Sequence, residues 1–431
     1  MERLMQYVWQ HRLWHPSDMA TVDGERLEVI DPGLLNYDAG PDFFNAKLRI
    51  GDKIWAGNVE IHVNASDWYR HGHDSDPAYD SVVLHVVGKN DMRIERPNGL
   101  PIPQIVMDCA DNFAAAYDEM VNGISCEPAC LQELSELPDI YKTDWLSSLA
   151  FDRIYSKAAH LGEIIARCDG NWRAGVYVLL ARALGFSTNS DAFERLAIAT
   201  PLARLLHHQG DETAIEAALF GQAGLLGETL SDCPEKDYLD SLRAEYAFMK
   251  AKYGLEQPSG LGWKMARMRP QNFPHRRIAF LAKAVADGFQ IASQIAAVDG
   301  IDSARRLFDI KLGKFWASHY TFAPTGMKLV PGMGASSVNS LIINVVVPAL
   351  YHYSTTFGGR DTLQQCVELL QALPPEDNRI TRIFDAAGIS CPDALTSQAL
   401  IHLRRNYCEP RKCLYCRFGH RFLSAKAIRR K

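Results

Sequence analysis

Gly40-Pro41-Asp42-Phe43, followed by Gly57-Asn58-Val59-Glu60-Ile61-His62, are the two stretches on which the reading of this chain turns. Asp42 falls in a Gly-Pro turn just ahead of one β-rich run, and Glu60 lies on the next. Residues two apart on a strand face the same side, so Glu60 and His62 project together. If the two strands pair, Asp42 comes to the same spot. Two converging carboxylates suit Mg²⁺ or Mn²⁺, which favour oxygen ligands. An ion held there can activate water and neutralise charge on a phosphoryl group. Asp42 and Glu60 are the candidate metal-binding and catalytic carboxylates, with His62 placed to position or deprotonate the attacking water.

Around this centre, residues 1–125 read as an α+β domain. Leu27–Ile30, Ala46–Ile50, Lys53–Val63 and Ser81–Val87 are short β-rich runs separated by turn formers. Met1–Leu13 predicts a leading helix and Ser66–Arg70 a short one, while Met92–Arg96 predicts a strand paired through Pro97-Asn98-Gly99 with Ile102–Met107. From 126 to 400 the apolar spacing turns to three and four, predicting a mainly α-helical domain. Its runs include Trp145–Cys168, Asn171–Leu184, Ser190–His208, Thr213–Leu226, Pro234–Tyr253, Arg276–Ala297 and Asn339–Tyr353. Residues 401–431 form a basic, Cys-rich tail.

The 431 residues, 47% hydrophobic and 23% charged, have an ordinary globular composition and exclude a disordered or collagen-like chain. No run reaches the ~18 apolar residues of a membrane helix, and Met1–His11 carries no apolar export region. The expectation is a cytoplasmic protein with no membrane partner. The formal net charge of −5 is uneven: Arg404–Lys431 holds ten Lys/Arg against the single acid Glu409. A basic tail on an acidic body points to a polyanion, such as DNA or RNA.

An Asp, a hairpin, then Glu-x-Lys on the following strand is the core of the PD-(D/E)xK nuclease superfamily, which the first region resembles. The resemblance implies a mixed sheet, metal binding by Asp42 and Glu60, and phosphodiester cleavage. His62 stands where that pattern has its Lys, so the permanent positive charge is missing. The whole chain also resembles a bacterial family known as domain of unknown function 2851. Gly40–Phe43, Gly57–His62, Ser66-Asp67-Trp68, His71-Gly72-His73, Leu84-His85-Val86-Val87 and the C-terminal cysteines carry that resemblance. It brings no activity with it.

His71, His73 and His85 admit two readings. With Glu60 and Asp76 they can assemble a His-rich transition-metal site. Otherwise they line a phosphate-binding cleft beside the Asp42/Glu60 metal. Cys408-x4-Cys413-x2-Cys416 is the strongest local signal, because thiolates so spaced converge on zinc or an iron–sulfur cluster. The fourth ligand is Cys126 or His420, with Cys130 a lesser choice. Four-cysteine clusters close some nucleases of the resembled superfamily, although here no Cys precedes the nuclease motif. A second basic segment, Trp263–Arg277, has five Lys/Arg and no acid, and its prolines make it a loop. Arg267 and Arg269 are its candidate phosphate-binding residues. No P-loop, Rossmann fingerprint or nucleophile elbow occurs.

These residues lead to one expectation: a metal-dependent nuclease-like protein acting on nucleic-acid phosphodiester bonds. Two alternatives stand beside it: a non-catalytic nucleic-acid-binding protein on a nuclease-derived fold, and a His-ligated metallohydrolase of a small phosphoester.

Overall fold

The computed structural model describes the chain except for residues 15–18, 37, 108–114, 116, 119, 121, 123–126, 231–233, 324–328, 330–331, 359–361 and 429–431. The chain divides into two compact units. One gathers 1–142, 386–389 and the residues from Leu403 onward; the other spans 143–385 and 390–402.

The first unit is built on a six-stranded mixed sheet: β1 (Leu27–Asp31), β2 (Leu34–Leu35), β3 (Phe43–Ile50), β4 (Lys53–Asn64), β5 (Val82–Lys89) and β6 (Gln104–Val106), in the order β1-β3-β4-β5-β6 with β2 beside β3. β1, β3 and β4 are antiparallel, whereas β4, β5 and β6 run parallel. The Gly51-Asp52 turn allows the tight β3–β4 hairpin. The β4-to-β5 crossover carries the short helix α2 (Asp67–Arg70) and the His71–Tyr79 loop. Val59 and Ile61 join Leu84 and Val86 in a core against Leu4, Met5 and Val8 of the leading helix α1 (Glu2–Gln10). Glu60 and His62 point to the opposite face, where Trp68, Tyr79 and Val87 form a smaller core. A strand buried on both faces explains why β4 and β5 carry so little alternation of polar and apolar residues.

Gly57 and Asn58 mark where β4 stops being an edge strand beside β3 and gains β5 as its second neighbour. A Cβ on Gly57 would lie 2.7 Å from the Ser81 carbonyl oxygen and 2.4 Å from Val83 Cγ1. Asn58 fastens the same point, its backbone N–H donating to Ser81 O at 2.9 Å and its Nδ2 to Ser81 Oγ at 2.8 Å. The expected strand Met92–Arg96 is replaced by a single bridge between Glu95 and Pro101. Ile94 N–H donates instead to the Gln104 side chain at 2.9 Å, which consumes the ladder bond a strand would need.

The second unit is helical, and its apolar residues form one large core. Ser190–His208, expected as one helix, is two, Ser190–Ala199 and Leu202–Leu206, because Pro201 removes a donor at the junction. The expected Arg276–Ala297 helix instead starts at Pro274 and stops at Ala286, short of Gly288, whose φ is +86°. Pro348 is accommodated by a π-turn, Ile342–Val346, just before it.

Gly57→Ala is expected to lower stability by about 1–3 kcal/mol through overpacking against β5. A lower urea midpoint at unchanged slope in chemical denaturation would show it.

Candidate metal centre

Asp42 and Glu60 meet because Phe43 pairs with Val59 across the β3–β4 hairpin. Each fastens the other's strand. The Asp42 N–H donates to Glu60 Oε2 at 3.0 Å, and the Ile61 N–H donates to Asp42 Oδ2 at 2.9 Å. Asp42 Oδ1 accepts from Gln6 Nε2 of α1 at 2.8 Å. Both Asp42 oxygens are thus engaged, while Glu60 Oε1 faces the histidines, 3.5 Å from His62 Nε2 and 3.3 Å from His73 Nε2.

The loop after α2 supplies His71 and His73. Gly72 adopts φ +77°, a left-handed conformation that Gly takes at little cost, and it turns both neighbours toward His62. The turn is held by His71 N–H to Asp67 O (2.9 Å) and His73 N–H to Trp68 O (3.1 Å). Buried Asp67 locks this base, accepting from Asn64 N–H at 3.1 Å and pairing with Arg70 at 2.8 Å. Ligand nitrogens of His62, His71 and His73 then lie within 4.8 Å of one another. His62 Nε2 and His71 Nδ1 are 3.2 Å apart, close to the edge of about 3.3 Å that metal–nitrogen bonds of 2.0–2.1 Å give a tetrahedron.

His85, fully buried, stands behind His62, its Nε2 2.8 Å from His62 Nδ1. That contact orients the His62 ring, as a partner on the far nitrogen does for a metal-bound imidazole. Tyr79 stacks on His73 with ring centroids 3.8 Å apart. Asp76 lies aside: its carboxylate accepts from Ala78 N–H and caps the Pro77–Tyr79 turn.

Burial pushes the His62 imidazole down to about 3, helped by the neighbouring His85, His73 and His71. Burial takes His85 to about 3 and lowers His73 as well. Burial first, then Glu60, raises Asp42 well above the usual carboxylate range, and burial raises Glu60 likewise. Burial thus favours, at His62, His73 and His85, the neutral form that metal coordination requires. Three imidazoles beside one carboxylate oxygen form a nitrogen-rich set that fits a transition metal better than Mg²⁺.

The cysteines lie in the same unit. Cys130 on the segment Ala129–Glu136 joins Cys408, Cys413 and Cys416. Burial, then Cys416 and Cys413, push the Cys130 thiol up to about 12. Burial, then Cys416, push Cys413 to about 11. Cys408 is raised by burial and by all three others. None of the four is in a disulfide. Cys126 lies outside the described residues. His420 Nδ1 pairs with the Tyr7 hydroxyl of α1. Arg417 and His420 line a cavity of about 280 Å³ with Arg3, Gln6 and His11. Arg267 and Arg269 are exposed in the helical unit, on a loop anchored by Asn189 to Lys264.

The geometry defines a clustered histidine–carboxylate centre on a mixed sheet, and comparison with known proteins then places the chain. A family model described as "Protein of unknown function (DUF2851)" matches residues 2–379, so the chain belongs to that family. No match was found among curated proteins or among solved structures. Among the described residues, no helix is long and apolar enough to cross a membrane.

Sequence spacing singled out Asp42, Glu60, His62, His71, His73 and His85, and all six meet here. Cys130 is the member whose place sequence spacing does not fix.

Titration with Mn²⁺, which thiolates hold weakly, is expected to saturate at this centre. His85→Ala should weaken it about 10–100-fold by releasing the His62 ring, whereas Asp76→Ala should leave it unchanged.

Proposed function

We propose that this protein is a metal-dependent hydrolase of phosphodiester bonds in nucleic acid, with its metal held by His62, His71 and His73. The observation that carries the reading is the convergence of three imidazoles beside the Glu60 side chain. A divalent transition-metal ion bound there supplies Lewis acidity and charge neutralisation at a phosphoryl group. Once a bound cation has displaced its proton, Glu60 Oε1 would be placed to accept the proton of an attacking water as general base. Asp42 holds Glu60 through its backbone N–H, and Gln6 holds Asp42. His85 fixes His62.

Asp42 at the entrance to a strand, a hairpin, a strand carrying Glu60 and a crossover to a parallel neighbour fit the PD-(D/E)xK-like reading. Here the histidine cluster takes the place of the absent Lys. The anionic substrate is supported by Arg3 and Arg417 around the cavity that Gln6, His11 and His420 also line. Exposed Tyr415 lines the same cavity and offers a stacking face.

The cysteine group is the second metal site of this proposal. Three cysteines within nine residues with a fourth far off in sequence form a thiolate set that an iron–sulfur cluster can use, and we take the group as such a site, with Cys130 as fourth ligand.

Labelled single- and double-stranded DNA and RNA, and p-nitrophenyl phosphate, are the substrates to compare, with Zn²⁺, Mn²⁺ or Mg²⁺ supplied. Cleavage of a nucleic acid by the wild type, falling about 10²–10⁴-fold in Glu60→Gln at retained binding, is the expected result. Salt-sensitive binding without cleavage would make the chain a binding protein instead. Cleavage of the small ester alone would shift the substrate to small phosphoesters.

Iron and zinc analysis of anaerobically purified protein tests the second site. Iron with sulfide, lost in Cys130→Ser, is expected; one zinc per chain retained by that variant would reject the cluster and its fourth ligand together.

A further inference from the structure

The helical unit contains a cationic cavity that the proposed reaction does not use. Its floor is the first turn of the helix Pro274–Ala286, where Arg276 and Arg277 follow one another. Both are buried, 6% and 4% exposed. With Tyr320, Ser337, Gln271 and Gly334 they line a cavity of about 220 Å³. Fully buried arginine is rare without a counter-charge, and a helix N-terminus adds partial positive charge to the same spot.

The partners of Arg277 are neutral. Its Nη2 donates to Asn272 Oδ1 and, at 2.9 Å, to Ser337 Oγ. The guanidinium lies 4.5 Å from the centroid of the Phe186 ring. Its Nε–H, buried, has no hydrogen-bond partner among the described residues. Arg276 Nη1 donates to the Trp316 carbonyl oxygen at 2.8 Å. Two carboxylates of this region are already engaged: Glu228 Oε1 lies 3.0 Å from His275 Nε2, and Glu216 Oε1 accepts from Trp316 Nε1 at 2.8 Å.

The sequence reinforces this. No Asp or Glu occurs from Gln257 to Ala286, nor from Ile310 to Arg360, and these two stretches supply every lining residue among the described ones. Burial and the adjacent Arg276 already pull Arg277 down to about 9.

We infer that this cavity binds a tetrahedral oxyanion, a phosphate or the phosphoryl end of a phosphomonoester, between Arg276, Arg277 and Ser337. The fork of a guanidinium matches two oxygens of such a group. The cavity falls below the roughly 300–1,000 Å³ of drug-sized sites, which favours a compact anion over a whole nucleotide.

The test uses the full chain in a chloride buffer free of oxyanions. Inorganic phosphate and sulfate are expected to raise the melting temperature and to give saturable heat in calorimetry, while added chloride does neither. Arg277→Gln should weaken phosphate binding at least tenfold. Because that variant can fail to fold, Ser337→Asp provides a second route. It sets a carboxylate beside Arg277, so melting should rise in the oxyanion-free buffer and the response to phosphate should vanish. Absence of any phosphate or sulfate effect on the wild type at millimolar concentration would overturn the inference. An unchanged response in Ser337→Asp would do the same. Displacement of phosphate by a 5′-phosphorylated oligonucleotide would assign the group to nucleic acid, and displacement by a sugar phosphate alone would assign it to a small metabolite.

Discussion

The first unit depends on a reciprocal clasp between two neighbouring strands. Glu60 accepts the backbone N–H of Asp42 at the entrance to β3, and Asp42 accepts that of Ile61 within β4. The clasp fixes the β3–β4 register at the one place where the sheet changes from antiparallel to parallel pairing. A shift of one residue there would carry Glu60 and His62 through to the α1 face, into the company of Leu4 and Val8. Main-chain donors therefore do more than satisfy two buried carboxyls. They decide which face of β4 becomes the chemical face.

Around the clasp the protein gathers groups that resist being charged. Burial drives the imidazoles toward neutrality and the carboxyls toward protonation, so the cluster reaches electrical balance by holding its protons on oxygen. A cation entering such a centre exchanges for protons. Stability and ion affinity are then linked through the same handful of side chains. The histidines are ordered in depth: His85 fully buried, His62 in front of it, His71 at the surface. One end is rigid and the other open to solvent, an arrangement suited to reactants that must come and go.

Much of the sheet and the carboxylate–histidine centre was legible because both rest on local signals. Alternation placed Glu60 and His62 on one side, and the Gly-Pro turn placed Asp42 at a strand entrance. His71-Gly72-His73 announced a turn with two rings, although only the left-handed Gly72 and the Asp67 lock bring those rings to His62. Cys130 was less legible, being far from Cys408 in sequence with no periodicity to connect them. Arg276 and Arg277 read as the end of a basic loop, since arginine is ordinarily a surface residue. Pro274 begins a helix instead and carries both inside. The break at Pro201 was written in the sequence, where a proline follows Thr200, but the apolar spacing continues across it.

The path of the chain has a consequence for how the protein comes into being. The helical unit is contained within one stretch of chain, apart from a short return, whereas the sheet unit leaves at Lys142 and resumes in earnest only at Leu403. Phe422 and Leu423 complete the core that α1 and the strands began. On the ribosome, then, the sheet emerges first yet finishes last. Its apolar edge must wait, covered by nascent structure or by helper proteins, while more than half of the chain is made. The cysteines record the same delay, for Cys130 is synthesised long before the three partners with which it closes the unit.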